Sequence, residues 1–445
     1  DGAHMTGTTA GTTTATTGDL VIAGGTVLDP TGRRRADVLV RDGAVVAVGV
    51  DVAASAPGAT VLDAAGCIVS PGFVDLHAHL REPGREEAET IETGSRGAAL
   101  GGFTAVVAMP NTDPAQDSVS TVDFVRARGE AAGLCEVLPA GCITVGRAGT
   151  QLAPYAELAG AGVRIFTDDG AGVQDPLLMR RALEYARGLD ITLAQHCEVA
   201  RLTDGAVMHE GSCCSRLGLP GWPSIAEELM VHRDIELVRL TGAPMHFLHL
   251  STAGSVRLVR AAKADGLPVT AEAAPHHISL TDEQLGGYGP VFKVAPPLRT
   301  AADVAAIRAG LADGTIDAIA TDHAPHTSES KELPLDQAPP GMLGLETALG
   351  VALAHLEMPL VDVVAALSWK PATIAGVADW HGRPVAAGEP ANLTVFDPGV
   401  EWQVVPTDLA SRSRNTPYVG TPLRGRVRHT VFRGAAVVVD GVARR

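Results

Sequence analysis

Residues 71–84 read Pro71-Gly-Phe-Val-Asp75-Leu-His77-Ala-His79-Leu-Arg81-Glu-Pro-Gly84, an apolar segment that closes on a His-Ala-His pair. On a β-strand, residues two apart face the same way, so His77 and His79 can offer two imidazoles to one metal ion. In isolation such a pair is a weak signal, more often a surface coincidence than a ligand set. Its weight depends on whether other apolar strands of the chain end in the same kind of polar group.

They do. Apolar β-type runs alternate with helical stretches through the middle of the chain, at residues 68–77, 103–110, 135–142, 163–168, 191–197, 245–250, 268–275 and 316–323. Eight strand–helix units of this spacing are what a (β/α)8 TIM-type barrel requires, so the fold class expected is α/β. In that architecture the chemistry sits at the C-terminal ends of the strands. The polar residues fall there: His77 and His79 close the first run and Asn111 follows the second. Asp168 and Asp169 end the fourth, His196 the fifth and His249 the sixth. His276 and His277 follow the seventh, and Asp322 with His323 ends the eighth. For any one of these a hydrogen-bonded core residue is the ordinary reading, but six equivalent strand ends carrying His or Asp point to a site. Imidazole with carboxylate favours zinc or another borderline first-row ion, which activates water when a coordination position is open. His209, His232, His246, His355, His381 and His429 fall away from the strand ends and are read as structural.

The chain ends have a different character. Residues 1–5, with His4, read as an expression scar, and residues 6–18, almost all Thr, Gly and Ala, as a disordered leader. Short β-type runs such as Leu20-Val-Ile22, Val38-Leu-Val40 and Val45-Val-Ala-Val48, with a hairpin-like Asp42-Gly43 between the last two, return near the C-terminus. The expectation is a small β-sandwich built from residues 19–69 and 383–445, with the metal-dependent barrel, 70–382, inserted between its halves.

With 445 residues the chain is too long for one small core. A net charge of −16 opposes binding to nucleic acid or an anionic membrane, and no apolar stretch is long enough to cross a bilayer. A cytoplasmic protein acting on a small molecule is expected. Cysteines 67, 135, 142, 197, 213 and 214 form no CxxC pair and are read as small buried hydrophobes, with Cys213 and Cys214 as reduced thiols in a loop. Gly101-Gly102 and Gly286-Gly287 lack any phosphate-binding pattern and are read as turns.

Taken together, the chain resembles the cyclic amidohydrolases of the amidohydrolase superfamily, most closely the bacterial class I dihydroorotases. The likeness runs from about residue 19 to the C-terminus. It rests on residues 71–84, Met109-Pro-Asn-Thr112, Phe166-Thr-Asp-Asp-Gly170, Gln195-His-Cys-Glu198, His249-Leu-Ser251 and Ala320-Thr-Asp-His-Ala-Pro-His326. The resemblance implies reversible, zinc-dependent cyclisation of N-carbamoyl-L-aspartate to L-dihydroorotate for pyrimidine synthesis. It assigns His77, His79 and Asp322 to the more buried ion and His196 and His249 to a second, with one or two Zn2+ per subunit. Many relatives bridge their ions with a carboxylated lysine on the fourth strand; here no lysine precedes Lys263, so the resemblance makes Asp169 the candidate bridge or ligand, with Asp168 beside it as a supporting partner or the alternative ligand.

The same resemblance makes Asp322 the proton shuttle between attacking water and departing ring nitrogen, during metal-assisted attack on the ring carbonyl. Arg81 clamps the substrate carboxylate by parallel hydrogen bonds, helped by Asn111 and His326. Ala295, Pro340 and Gly341 fall at further substrate-contact positions. Two of these depart from the family pattern. In Lys293-Val-Ala-Pro-Pro-Leu-Arg299, Ala295 replaces the usual Asn, a lost hydrogen bond worth about 0.5–1.5 kcal/mol, or up to roughly tenfold in binding. Pro340 stands where many relatives carry Phe, within a loop, 325–344, read as a lid. Two rival functions remain: a cyclic amidohydrolase acting on a hydantoin, dihydropyrimidine or specialised-metabolite ring, which Ala295 keeps open, and a low-activity scaffold for aspartate carbamoyltransferase, which the full ligand set opposes. A homodimer, and association with that transferase as an active partner, are both compatible with the sequence.

Overall fold

The computed structural model describes residues 18–444, so the scar and nearly all of the expected leader lie outside the described residues. Eight parallel strands carry the middle of the chain: β1 (Phe73–Ala78), β2 (Phe103–Ala108), β3 (Glu136–Pro139), β4 (Ile165–Thr167), β5 (Thr192–Gln195), β6 (Met245–Phe247), β7 (Val269–Ala273) and β8 (Ala318–Ile319). They form two ladders in chain order, β1 to β3 and β4 to β8. Isolated parallel bridges join the ladders at both seams, Gly141 to Phe166 just beyond β3 and Ala78 to His323 just beyond β8. Helices α1 (Ile91–Leu100), α2 (Val119–Ala132), α3 (Tyr155–Gly160), α4 (Pro176–Ala186), α5 (Ile225–Thr241), α6 (Ala253–Ala264), α7 (Ala301–Ala312) and α8 (Ala348–His355) follow the successive strands. Thr90, Ser118, Asp175, Thr252 and Thr300 each accept a hydrogen bond from a first-turn amide and so start α1, α2, α4, α6 and α7.

The strands are buried on both faces, which is why they read as nearly continuous apolar runs. One face supplies a cluster that includes Val74, Leu76, Ala105, Val107, Ile165, Ala194, Leu248 and Ala320. The other, with Phe73, Phe103, Val106 and Ala108, packs into the larger core that contains the apolar faces of the helices.

The two chain ends meet in a seven-stranded sheet, ordered Val442–Ala443, Ala435–Val439, Pro422–Phe432, Leu393–Gln403, Ile68–Pro71, Thr26–Asp29, Gly32–Arg35. A four-stranded sheet of Ala44–Gly49, Asp37–Arg41, Leu20–Ala23 and Thr60–Asp63 shares a core with it through Ile22, Val38, Val69, Leu393 and Val431. The Asp42-Gly43 turn has φ of 48° and 82°, the left-handed pair that a tight hairpin demands.

Two expectations need correction. The run 68–77 is two strands: Ile68–Pro71 pairs with Leu393–Gln403 and Thr26–Asp29, and β1 begins after Gly72. A Cβ on Gly72 would lie 2.2 Å from Thr104 Oγ1, so only glycine fits where the chain passes from one sheet to the other. Unbroken hydrophobicity conceals that change of sheet. Cys213 and Cys214 sit in the helix Ser212–Leu217 rather than a loop; all six cysteines are buried and unpaired.

Candidate active site

Regular alternation along β1 would turn His77 away from the face that carries Val74 and Leu76. A register shift between Asp75 and Ala78 reverses the parity: beyond it Ala78 and Leu80 join the helix-side core, and His77 points with Leu76. A bulge at a strand end re-aims side chains in this way. Here it brings both imidazoles of the pair onto one carboxylate. His77 Nε2 and His79 Nε2 each lie 3.4 Å from Asp169 Oδ2 and respectively 3.6 and 3.3 Å from Asp322 Oδ1.

On the opposite side of Asp169, His196 Nδ1 and His249 Nε2 are each 3.3 Å from Oδ1 and 3.0 Å from one another. Asp169 therefore turns one oxygen to each histidine pair. Two donor groups compatible with a metal ion share it, His77–His79–Asp169 and Asp169–His196–His249. The outer nitrogens are occupied: His77 Nδ1 donates to Glu272 Oε1 (2.9 Å), His79 Nδ1 to Asn111 Oδ1 (2.9 Å) and His196 Nε2 to Glu198 Oε2 (3.0 Å). Those partners take up the outer N–H of each ring, so the inner nitrogen becomes a ligand when a metal ion displaces its proton. His77 Nε2 is buried with no hydrogen-bond partner, an orphan that a cation would satisfy. The residues present thus fit a divalent ion at either group.

The electrostatics agree. Burial works against the charged form of Asp169, but His77, His196 and His249 outweigh it and hold the carboxyl well below its usual range. Burial also opposes ionisation of Asp322, and His79, His77 and His249 overcome that cost. Glu272, likewise desolvated, is drawn to about 2 by His246 and His77. Asp322, His249 and Arg81 hold φ of 46°, 30° and 63°, left-handed values rare for residues with side chains.

Asp168 and Asp169 separate cleanly. Asp168 Oδ1 accepts from the amides of Ile143 (2.9 Å) and Thr144 (3.0 Å), and Oδ2 accepts from the Thr144 hydroxyl, so it braces the segment after β3. His323 bonds Glu89 and the Gly344 amide, and His277 bonds the Pro296 carbonyl; neither belongs to the donor groups. His276 Nε2 is buried, unpartnered and 3.8 Å from Asp322 Oδ2. None of the six histidines read as structural joins the donor groups, although His246 stands one step behind through Glu272 Oε2, at 3.0 Å.

Arg81, two residues beyond His79, is buried and forms no ion pair with a carboxylate among the described residues. Its Nε donates to Pro325 O at 3.1 Å, and its Nη2 lies 3.3 Å from His326 Nε2. Burial and the neighbouring Arg85 lower its pKa to about 10, and Asp322, Asp169 and Glu89 work against that shift, so it stays cationic. Asn111, its Oδ1 engaged by His79, keeps Nδ2 for a ligand. Gly341 is buried with φ of 139°, and a Cβ there would lie 2.8 Å from His326 Nε2. Pro340 is exposed, with its carbonyl 2.8 Å from that same nitrogen, and Ala295 presents a half-buried methyl in the neighbouring segment.

Sequence reasoning missed Glu272, Glu198 and Asn415. Glu272 had a signal, a carboxylate in the middle of the apolar run 268–275, which burial tolerates only with partners. Glu198 stands in the motif Gln195-His-Cys-Glu198, which was recognised without a role for its last residue. Asn415 donates to Ala324 O (2.9 Å) and Gly341 O (3.1 Å) and accepts from the His326 amide (3.2 Å), contacts more than seventy positions away that left no local trace.

Residues 66–255 match a family model described as dihydro-orotase-like. A dihydroorotase of Streptomyces coelicolor is 52% identical over 411 residues, 91% of this chain and 95% of that protein. One of Mycobacterium tuberculosis is 51% identical over 416 residues, 92% of this chain and 96% of that protein. Among solved structures, an L-hydantoinase (dihydropyrimidinase) from Arthrobacter aurescens aligns with a TM-score of 0.82 at 23% identity, covering 96% of this chain and 97% of that one. A D-hydantoinase gives 0.84 at 20%, covering 96% of each. At those identities the two structures speak to the shared fold alone. Half-identity maintained over nearly the whole length of both partners is decisive, and the chain belongs to the dihydroorotase family.

Proposed function

We propose that this chain is a dihydroorotase of the bacterial class I type, interconverting N-carbamoyl-L-aspartate and L-dihydroorotate in pyrimidine synthesis with one or two zinc ions. The observation that carries the proposal is Asp169 turning one oxygen to each histidine pair beneath a buried, unpaired Arg81. His77, His79 and Asp322 would hold one ion, His196 and His249 the other, with Asp169 between them; imidazole and carboxylate donors suit zinc. A bound divalent ion polarises an amide carbonyl and makes water a better nucleophile at neutral pH.

The chain's own groups do the rest. Asp322 is held ionised at neutral pH, so it can accept a proton from the attacking water and return it to the ring nitrogen as the amide opens, and do the reverse on closure. Arg81 and Asn111 Nδ2 supply donors for the carboxylate that both substrates carry, and His326 completes this substrate-binding group by holding Pro340 beside Arg81, next to Ala295 and Gly341. The eight-stranded ring is read as a (β/α)8 TIM-type barrel over 70–382, and the two sheets as a β-sandwich from 19–69 and 383–445; the parallel ladders, their two bridges and the shared core of the chain ends support this. A cytoplasmic location is part of the same proposal; no helix among the described residues is long and apolar enough to cross a membrane.

The test is hydrolysis of L-dihydroorotate by zinc-loaded protein, followed by ultraviolet absorbance, beside D322N protein and with a hydantoin and dihydrouracil as competing substrates. Turnover of dihydroorotate by the intact protein alone supports the assignment. Turnover only of another ring would replace it with the corresponding amidohydrolase.

A further inference from the structure

The loop 325–344 is stitched to the segment that contains Ala295 by two lysines that reach past each other. Lys331, at the end of the short helix Ser328–Lys331, donates from Nζ to Pro339 O (2.9 Å) and to Lys293 O (3.4 Å). Lys293 answers from its own Nζ to Leu335 O (2.8 Å) and Asp336 O (3.1 Å), while its carbonyl also accepts from the Gly341 amide at 2.9 Å. Neither lysine forms an ion pair with a carboxylate among the described residues; both spend their charge on main-chain carbonyls.

The carbonyl next to the one Lys331 holds is Pro340 O, 2.8 Å from His326 Nε2, and that nitrogen is also 3.3 Å from Arg81 Nη2. One imidazole nitrogen cannot serve both neighbours. With its proton on Nε2, His326 donates to Pro340 O and leaves Arg81 Nη2 without an acceptor, open to a carboxylate. With Nε2 bare, it accepts from Arg81 and releases the loop. A seated Pro340 therefore goes with an Arg81 that is free for an anion.

We propose that Lys331 is a positioning residue for substrate binding: by seating Pro339 and Pro340 against the Lys293 segment it keeps His326 on the loop and Arg81 available to the substrate carboxylate. The inference rests on the assignment of Arg81 as the carboxylate clamp, with His326 acting on it through the loop.

Burial, with the charge of Lys293, brings the Lys331 pKa down to about 7. The charged and titratable groups around it are Lys293, with Asp336 beside that lysine, and His326, with Arg81 behind it. A lysine with a lowered pKa loses its charge as pH rises through that value, so its bonds to Pro339 and Lys293 pass from charge-assisted to neutral and weaken. The seat is firm below neutrality and loosens above it.

The experiment measures kcat and KM for L-dihydroorotate hydrolysis from about pH 6 to about pH 8.5 in metal-loaded wild type, K331M, K331R and R81Q, with metal content determined for each. K331M is expected to raise KM about tenfold at the acid end with kcat changed less than about twofold and metal content unchanged. Wild type is expected to show a KM that rises above neutrality, and K331M to lose that rise. K331R, always charged, is expected to keep the low KM and to flatten its pH dependence. R81Q raising KM while K331M matches wild type would overturn the proposal and leave the clamp standing. An R81Q protein with unchanged KM would remove the clamp, and this proposal with it. A K331M loss confined to kcat, or a KM that K331R fails to preserve, also overturns it.

Discussion

The floor and the rim of the site are built on opposite principles. On the floor, His77, His79, Asp169, His196, His249 and Asp322 come from strand ends, and their inward-facing atoms are imidazole nitrogens and carboxylate oxygens, ligand atoms each 3.0 to 3.6 Å from a neighbour. On the rim, Arg81, His326 and Lys293 come from loops and Lys331 from the end of the short helix Ser328–Lys331; all are held by main-chain carbonyls, and their heads are donors without a carboxylate. One region has a surplus of acceptors and the other a surplus of donors. A cation completes the first and a small anion the second, and a metal-dependent enzyme for a carboxylated ring needs both.

The sharpest way to break this contrast is to remove the group through which the floor would act on substrate. D322N keeps the shape of the side chain and removes its capacity to take a proton, and general acid–base loss of this kind costs about 10²–10⁴ in rate. We expect kcat to fall within that range in protein whose metal content is shown to match wild type, since Asp322 also stands among the ion's ligands, with KM and dihydroorotate binding little changed because the rim is untouched. A KM rise equal to the kcat loss would show that floor and rim are one unit.

Next is the adjacent pair on the fourth strand. D169N should abolish metal retention, since it removes the charge on which both histidine pairs converge. D168N should retain metal and lower thermal stability, because the amides and hydroxyl on Asp168 lose an anionic acceptor, at about 1–3 kcal/mol. Metal analysis and thermal unfolding of the two proteins separate the roles. The reverse pattern would exchange the residues.

These two aspartates also mark how far the sequence was legible. Apolar runs ending in His or Asp exposed the floor, because a buried strand has few reasons to end that way on so many occasions. Pattern alone did not separate Asp168 from Asp169, since one residue of register decides it; the family resemblance is what pointed to Asp169, the one found in both donor groups. The parity of His77 depends on a bulge that no alternation announces. The break at Gly72 depends on Thr104, which approaches from another strand. The rim was legible only as isolated residues, because Lys293, Lys331, Gly341 and Asn415 meet through tertiary contacts that composition and periodicity do not record.

Glu272 sharpens the contrast from behind the floor. Its carboxylate accepts from His77 Nδ1 and lies 3.0 Å from His246 Nε2, whose other nitrogen is 2.8 Å from Thr270 Oγ1. In E272Q the amide oxygen can still serve His77, and its NH2 can donate to His246 once that ring moves its proton toward Thr270. The hydrogen bonds survive and only the charge is lost. Metal affinity, measured by competition with a chelator, should fall about 10- to 100-fold, with the unfolding temperature nearly unchanged. A collapse in stability with affinity intact would make Glu272 part of the core alone.

The smallest expected effect is at the rim, where this chain departs from its family pattern. Ala295 lies two residues beyond Lys293, whose carbonyl is shared by Lys331 and the Gly341 amide, so the segment lacking the usual Asn is the one the loop is stitched to. A295N adds an amide without disturbing the floor, and one hydrogen bond to substrate is worth about 0.5–1.5 kcal/mol. KM for dihydroorotate should fall up to about tenfold at constant kcat, with metal content unaltered. A fall in KM would mean that the rim is under-supplied with contacts and that the lysine stitch carries part of the load. An unchanged KM would mean that the stitch already holds the rim where an asparagine would have placed it, and then K331M should cost more in this chain than the same change in a relative that keeps the asparagine.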